Sequence, residues 1–384
     1  MTRDGTATMF DGGPPIRLQM ALHLAKPGQP RIAERATLVA FLGWVPLAFF
    51  AALQGNGSAF FSDFETYARS LIAAPLLILA ERDCQARLGA VANHFRESGL
   101  VRDSDLRRFN EAAASTRRLL DSQAVEFLVV ILGFIATGAL IQFSTFANKP
   151  IWLKSSQDVA AHLTVAEVWY VLVSRPLLLI LILGWLWRQF LWMRFLWLMS
   201  RLDLLLVPSH PDHVGGLKFI GSSLRGYRLL CVAFGVMAAG VTANRVVHEG
   251  ASPTVLKNTA VLVVVLVLLL FVAPLTIFLK KLRQTKRRGI FEYGSLAASM
   301  GMALEKKWLN RPDVDKQDAL EAPDFSATTD LYAVTANAYS MKDFPFGLKS
   351  VGELVVATLI PFIPIALMAV PLKVILRDLA KFVF

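Results

Sequence analysis

The chain has 384 residues, of which 55% are hydrophobic and only 18% are charged, and its mean hydropathy is +0.50. A soluble chain usually carries about 25% charged residues, so the composition indicates a membrane protein. The net charge of +11 does not indicate nucleic-acid binding, because the basic residues gather beside alternate hydrophobic runs. Cys84 and Cys231 lie far apart in the sequence and indicate no disulfide framework.

Seven hydrophobic segments lie near the ~20 residues that cross a bilayer, and they predict an all-α polytopic membrane protein. The seventh contains Pro361, Pro364 and Pro371, which predict a bent or broken helix. Six full spans with a re-entrant C-terminal segment are therefore the alternative. The predicted spans are approximately residues 36–54, 63–80, 125–146, 168–199, 229–247, 260–279 and 354–376.

Two regions between the spans are too charged for lipid and predict cytoplasmic helices. The first has apolar residues on one helical face, such as Leu88 and Phe95, and Gly99 at its turn, which predicts a helical hairpin. The predicted organisation is a disordered tail (1–35), spans 1–2 (36–80), the hairpin (81–123), spans 3–4 (124–200), a cytoplasmic loop (201–228), spans 5–6 (229–279), a basic cytoplasmic region (280–346) and the proline-broken segment (347–384).

The basic residues also predict the orientation. The hairpin is rich in arginine, and six Lys or Arg residues follow the sixth span between residues 280 and 288. Because cytoplasmic loops carry an excess of Lys and Arg, both regions and the N-terminus are placed in the cytoplasm. No convincing signal peptide precedes the first span. The expected location is a bacterial inner membrane.

Proline precedes leucine in four aliphatic stretches of similar appearance. These are Ala74-Pro75-Leu76, Arg175-Pro176-Leu177, Ala273-Pro274-Leu275 and Val370-Pro371-Leu372. Because the four prolines lie at different depths of their predicted spans, we interpret the recurrence as coincidence in a leucine-rich chain.

Ionisable residues within or next to the spans are the first candidate site. Such groups usually pair or line a polar path, because exposure to hydrocarbon costs several kcal/mol. They are candidates for an ion or solute path, and snorkelling or structural ion pairs are the alternative interpretation. The candidates are Arg69, Arg175, Arg245, Glu81, Glu126 and Arg188.

The loop after the fourth span holds the second candidate, a metal site. His210, Asp212 and His213, with Asp203 nearby, offer imidazole and carboxylate ligands of the types that bind divalent metals. The alternative is structural: the Pro-Asp-His sequence and the two glycines at 215–216 would form a tight turn, in which Asp212 caps the next helix. No phosphate-binding loop, dinucleotide fingerprint or nucleophile elbow occurs, which disfavours an enzyme.

The sequence therefore predicts a channel or transporter for ions or small solutes, in the bilayer and as a homo-oligomer, without a firmly indicated cofactor. Two alternatives stay open. One is a membrane-bound enzyme that uses a divalent metal at the His210 loop. The other is a scaffold or sensor whose cytoplasmic helices bind a protein partner.

Overall fold

The computed structural model describes residues 9–21, 31–142, 150, 152, 164–309 and 323–369. It is 84% helical, and the described residues contain no strand. The predicted all-α class is therefore confirmed. Outside the described residues lie most of the segment after the third predicted span, the linker 310–322, and the last span beyond residue 369 with Pro371.

Eleven helices are numbered here over those described ranges, and several combine α-helical turns with 3-10 or π-helical turns. They are α1 (Ile16–Ala21), α2 (Ile32–Leu53), α3 (Gly57–Phe61), α4 (64–97), α5 (Leu106–Leu120), α6 (Gln123–Gln142), α7 (Val165–Ser200), α8 (Lys218–Glu249), α9 (Pro253–Leu309), α10 (Pro323–Tyr339) and α11 (Leu348–Met368).

Six helices are long and apolar enough to cross a membrane, namely α2, α6, α7, α8, α9 and α11. They coincide with six of the seven predicted spans. The remaining predicted span lies on α4, which is long but carries Glu65, Arg69 and Glu81 within its first 18 residues. These three side chains are largely buried against other helices, so α4 lies inside the bundle despite its charge.

The bundle has two ends with different chemistry. We call the basic end the one that holds the start of α2, the α4–α5 hairpin and the run of Lys and Arg at 280–288. At the other end, which we call the far end, α4 begins beside α8. There the Phe64 backbone N–H donates to Asn244 Oδ1 at 2.9 Å. Helices α2, α6 and α8 run from the basic end to the far end, and α4 and α7 run back.

Three helices change to π-helical geometry just before a proline. The π-helical segments are Ala68–Ala73, Tyr170–Ser174 and Leu268–Val272, and each ends two positions before Pro75, Pro176 or Pro274. A proline has no N–H, and its ring crowds the carbonyl four residues earlier, so the regular hydrogen-bond ladder cannot continue there. Three of the four recurring Pro-Leu pairs therefore share a local structural consequence.

Side chains from neighbouring helices satisfy two of the carbonyls that prolines leave without a helical donor. The Trp169 indole N–H donates to the carbonyl oxygen of Leu42 at 3.0 Å, four residues before Pro46. Gln189 Nε2 donates to the carbonyl oxygen of Leu270 at 2.8 Å, four residues before Pro274. In a bilayer no water can serve these carbonyls, so the two contacts fix helix pairs to each other.

Helix α8 runs through the centre and packs closely because it carries small residues. A Cβ atom on Gly235 would overlap the carbonyl oxygen of Thr358 in α11, and one on Gly240 would overlap Ala68 in α4. Small residues allow such close backbone approach in membrane bundles. The main hydrophobic core continues along α4, α7, α8 and the middle of α9.

Helix α9 is much longer than a membrane crossing. Its 57 residues would extend about 86 Å, so its C-terminal half projects beyond the basic end. There α10 packs along it, with the hydroxyl groups of Tyr339 and Tyr332 lying over Gly294 and Gly301. The two helices form a long hairpin outside the bundle.

Candidate functional site

A cavity of about 140 Å³ lies between α2, α4 and α7 in the far-end half of the bundle. We call it the arginine cavity, because Arg69 and Arg175 line it together with Tyr170. Arg69 and Tyr170 belong to two of the π-helical segments, and Arg175 directly follows the second. Such π-helical bulges often occur at functional sites, because they shift side chains away from the regular helical pattern.

Both guanidinium groups converge on one phenol. Arg175 Nη1 donates to the Tyr170 hydroxyl oxygen at 2.7 Å, and Arg69 Nη2 donates to the same atom at 3.4 Å. Their Cζ atoms lie 5.6 and 5.9 Å from the centre of the Tyr170 ring, within cation–π range. On its other side the ring packs edge-on against Trp152. Tyr170 thus holds the two cations beside each other.

The lining of the arginine cavity is positively charged. Among the described residues that line it, the charged side chains are Arg69 and Arg175. Glu65 pairs with Arg69 at 2.7 Å from outside the lining. The nearby Asp63 is fully buried and is used locally, because its carboxylate accepts hydrogen bonds from the first turn of α4 and from Asn244 Nδ2. The cavity therefore offers donors and positive charge to an anion.

A second group of charges lies at the basic end, and we call it the ionic triad. Glu81 of α4 lies between Arg35 of α2, at 2.8 Å, and Arg188 of α7, at 3.2 Å. Each of the three side chains is at most 6% exposed. Removing such charges from water costs several kcal/mol each, so the pairing is required for the three helices to pack here.

Residues 9–21 pack into the bundle beside the triad, and we call this segment the N-terminal plug. Arg188 donates to the carbonyl oxygens of Gly12 at 3.1 Å and Gly13 at 3.4 Å. Phe10 is 2% exposed and meets the Trp192 ring edge-on, with centroids 5.3 Å apart. The plug approaches α7 so closely that a Cβ atom on Gly184 would lie 2.5 Å from the carbonyl oxygen of Pro14.

The plug differs from the prediction of a disordered tail over residues 1–35. Residues 9–21 and the start of α2 are ordered against the bundle, while residues 1–8 and 22–30 lie outside the described part. The physical reason is that two apolar side chains, Met9 and Phe10, are buried, and Arg117 donates to the Asp11 carbonyl oxygen at 2.6 Å. Because only a few isolated residues make these contacts, the segment has no helical or strand periodicity from which its packing could be predicted.

The arginine cavity and the ionic triad lie on the same helices. Arg69 and Glu81 are twelve residues apart on α4, and Arg175 and Arg188 are thirteen apart on α7. At 1.5 Å per residue these separations are about 18–20 Å. The two charged sites are therefore successive positions along one helix interface, with the plug at its basic end.

Four of the six predicted path residues enter these two sites, and two lie elsewhere. Arg69 and Arg175 meet in the arginine cavity, and Glu81 and Arg188 meet in the triad. Glu126 is buried on α6 and has a polar or electrostatic partner there. Arg245 is exposed on α8.

The sequence reasoning did not single out Arg35 or Tyr170, which complete the two sites. Arg35 looked like a boundary residue before the first span. Tyr170 had a weak signal, a phenol five residues before a span arginine at a Pro-kinked position. A carboxylate such as Glu81 at the end of a span indicates that a charge partner exists, but it does not identify which residues are the partners.

The His210 loop is a hydrogen-bonded turn. Asp212 Oδ1 accepts from the backbone N–H groups of Val214 at 2.8 Å and Gly216 at 3.1 Å, and Oδ2 accepts from Lys218 at 3.1 Å. Burial raises the pKa of Asp212, but these donors and His210 outweigh it, so the pKa lies below its ordinary value. The carboxylate caps the start of α8, which is the structural alternative considered above.

The four proposed metal ligands have different neighbours. His210 Nδ1 lies 2.8 Å from Asp212, whereas His213 Nδ1 lies 2.9 Å from the Ser340 hydroxyl. Asp203 pairs with Arg102 at 3.1 Å. Within the described residues no group of three or more His, Cys, Asp or Glu side chains is arranged to hold a metal ion.

A scan of protein-family models and searches of curated proteins and of solved structures found no match to this chain. The class of protein therefore follows from the fold and the sites. The chain is a multi-pass α-helical membrane protein, with buried charged groups on its inter-helix surfaces.

Proposed function

We propose that this protein moves small anions across the membrane, and that the arginine cavity is its binding site. The observation that carries the proposal is the lining of that cavity, where Arg69 and Arg175 are the charged side chains and both point to Tyr170. A cavity of about 150 Å³ can hold a molecule the size of benzene. The 140 Å³ observed here suits an inorganic anion or a short carboxylate.

The ionic triad and the plug supply the closure of this path at the basic end. An anion leaving the arginine cavity along α4 and α7 would next meet Arg35 and Arg188, which are paired with Glu81 and covered by the plug. Movement of the plug would uncover the triad and remove the backbone acceptors of Arg188. The path would then be open at the basic end. We place the basic end in the cytoplasm of a bacterial inner membrane, and α4 as a seventh crossing.

Flux measurements on purified protein in liposomes test the proposal. Chloride, phosphate and lactate are the probes, and Arg69→Gln and Arg175→Gln are the test variants. Arg245→Gln is the matched control, because Arg245 is an exposed arginine on α8 near the same end. Losing one charged hydrogen-bond donor should lower anion flux about tenfold or more. Absence of anion flux, or equal flux in all three folded variants, would contradict the proposal.

A second candidate function, protein binding, rests on the hairpin of α9 and α10. Phe291, Met302 and Leu309 are 67%, 65% and 75% exposed on its outer surface. Apolar side chains that project from a hairpin outside the bilayer suit another protein chain, and we propose a second copy of this one. Disulfide formation between copies of Met302→Cys, absent for Asn93→Cys on the other hairpin, is the expected result. No cross-link in either variant would refute it.

A further inference from the structure

A second and larger cavity lies between α2 and α6, where both helices rest on α7. Its volume is about 450 Å³, and its walls are almost entirely apolar. That volume falls within the ~300–1,000 Å³ typical of ligand sites. Val39 and Leu177 separate it from the arginine cavity, since they line both. We call it the apolar cavity.

The apolar cavity opens sideways on the surface of the bundle. Phe134 and Leu172 line it, and they are 45% and 56% exposed on α6 and α7. Both helices are apolar enough to cross the membrane, so this opening faces hydrocarbon. A ligand that enters here must therefore come from the bilayer.

The length of the cavity matches one acyl chain. Along α7 the lining extends from Leu172 to Leu181, and these ten residues span about 14 Å. The hydrocarbon core of a bilayer is about 30 Å thick, so one leaflet fills about half of it. The lining also reaches Arg35 near the start of α2, so the cavity extends from the level of the arginine cavity towards the basic end.

One polar group at the basic end of the cavity has no hydrogen-bond partner among the described residues. Gln19 of the plug lines the cavity and is only 8% exposed, and its Oε1 atom accepts no hydrogen bond from the described residues. A buried acceptor without a donor costs about 1–3 kcal/mol. A hydroxyl group at the end of an otherwise apolar ligand would satisfy it.

We propose that the apolar cavity binds one acyl chain, whose hydroxyl-bearing end donates a hydrogen bond to Gln19. A protonated fatty acid and a membrane lipid with a free hydroxyl group near its acyl chain offer the same chemistry. Because Pro15 and Gln19 belong to the plug, the bound chain holds the plug against α2, α6 and α7. This inference does not depend on anion movement.

Photo-crosslinking tests the proposal on the full chain in phosphatidylcholine vesicles. The probes are a diazirine-bearing palmitic acid and a diacylglycerol with the same acyl chain, and mass spectrometry maps the labelled residues. Val130→Trp fills the cavity, because Val130 lines it. Leu128→Trp is the control, since Leu128 is 51% exposed on the same helix. Labelling of the α6 and α7 walls should be lost in Val130→Trp and kept in Leu128→Trp.

Two further measurements support or overturn the inference even if Val130→Trp fails to fold. Gln19→Leu should weaken binding of the fatty acid about fivefold, the equivalent of one hydrogen bond. The probe should also slow amide hydrogen exchange over residues 9–21 of the wild type. Labelling by either probe supports the proposal and identifies the source. Equal labelling in both Trp variants, unchanged binding in Gln19→Leu, or cross-links to a second copy in its place would overturn it.

Discussion

Arg188 and Glu81 lie 3.2 Å apart, almost fully buried, although 107 residues separate them in the chain. Arg35 pairs with the other oxygen of the same carboxylate. One acidic group therefore pairs with cations from two helices, and carbonyl oxygens of the plug accept hydrogen bonds from Arg188 as well. The packing of α2, α4 and α7 at the basic end therefore depends on this carboxylate.

Replacing that carboxylate should strongly destabilise the bundle. Glu81→Gln leaves two buried guanidinium groups without a counter-charge, and breaking a buried pair in this way costs about 3–5 kcal/mol. Glu111→Gln is the control, because Glu111 pairs with Arg107 on the exposed face of α5, where such a pair contributes at most about 1 kcal/mol. Unfolding of both variants by denaturant in detergent measures the difference. Equal stabilities would show that the triad is not a buried ion pair.

The sequence could predict the helices but not the triad, for a physical reason. Apolar periodicity and proline are local signals, so six spans and the turn at Gly99, where φ is +70°, are readable from neighbouring residues. Arg35, Glu81 and Arg188 meet only because α2, α4 and α7 pack at one level. Each of them alone matches an ordinary residue at a membrane boundary.

The indole of Trp169 should matter only because Pro46 is present. Trp169→Phe removes the donor for the Leu42 carbonyl and should cost about 1 kcal/mol. Pro46→Ala restores a backbone N–H for that carbonyl, so Trp169→Phe should cost much less in the Pro46→Ala background. The double-mutant cycle should therefore give a coupling energy of about 1 kcal/mol. Additive effects of the two changes would show that the contribution of the Trp169 indole does not depend on Pro46.

The proline positions mark a limit of sequence reasoning. The recurrence of Pro-Leu looked accidental, because the four prolines lie at different depths of their predicted spans. In the structure each of Pro75, Pro176 and Pro274 follows a π-helical segment, and two of those segments carry Arg69 and Tyr170. Arg69 and Tyr170 belong to different helices and meet only because α4 and α7 pack against each other, which no local sequence signal reports.

The Asp212 turn should lose stability in acid. The folded-state pKa of Asp212 lies below its ordinary value, because backbone donors outweigh the effect of burial. The stabilisation is therefore fully present above about pH 4 and is lost as the pH falls through the lower folded-state pKa. The difference in unfolding free energy between wild type and Asp212→Asn should be constant near neutral pH and should shrink in acid.

The control for that experiment is Asp203→Asn, whose carboxylate is 72% exposed and pairs with Arg102. It should show little difference from the wild type at any pH. The same unfolding assay examines the metal alternative, since zinc at the His210 loop would raise the stability of the wild type but not that of His213→Ala. A zinc effect of that kind would show that the His210 loop is a metal site rather than only a structural turn.

If α4 is a seventh crossing, as we propose, its two ends lie on opposite sides of the membrane. Ser58 precedes α4 at the far end, and Ser98 follows it at the basic end. Cys84 and Cys231 are buried, so replacing both with alanine gives a background without thiols. In intact cells a membrane-impermeant maleimide should label Ser58→Cys, and Ser98→Cys should react only after the membrane is opened. Labelling of both positions from the same side would mean that α4 does not cross the membrane. The burial of its charged groups by neighbouring helices is compatible with either topology, so the labelling decides between them.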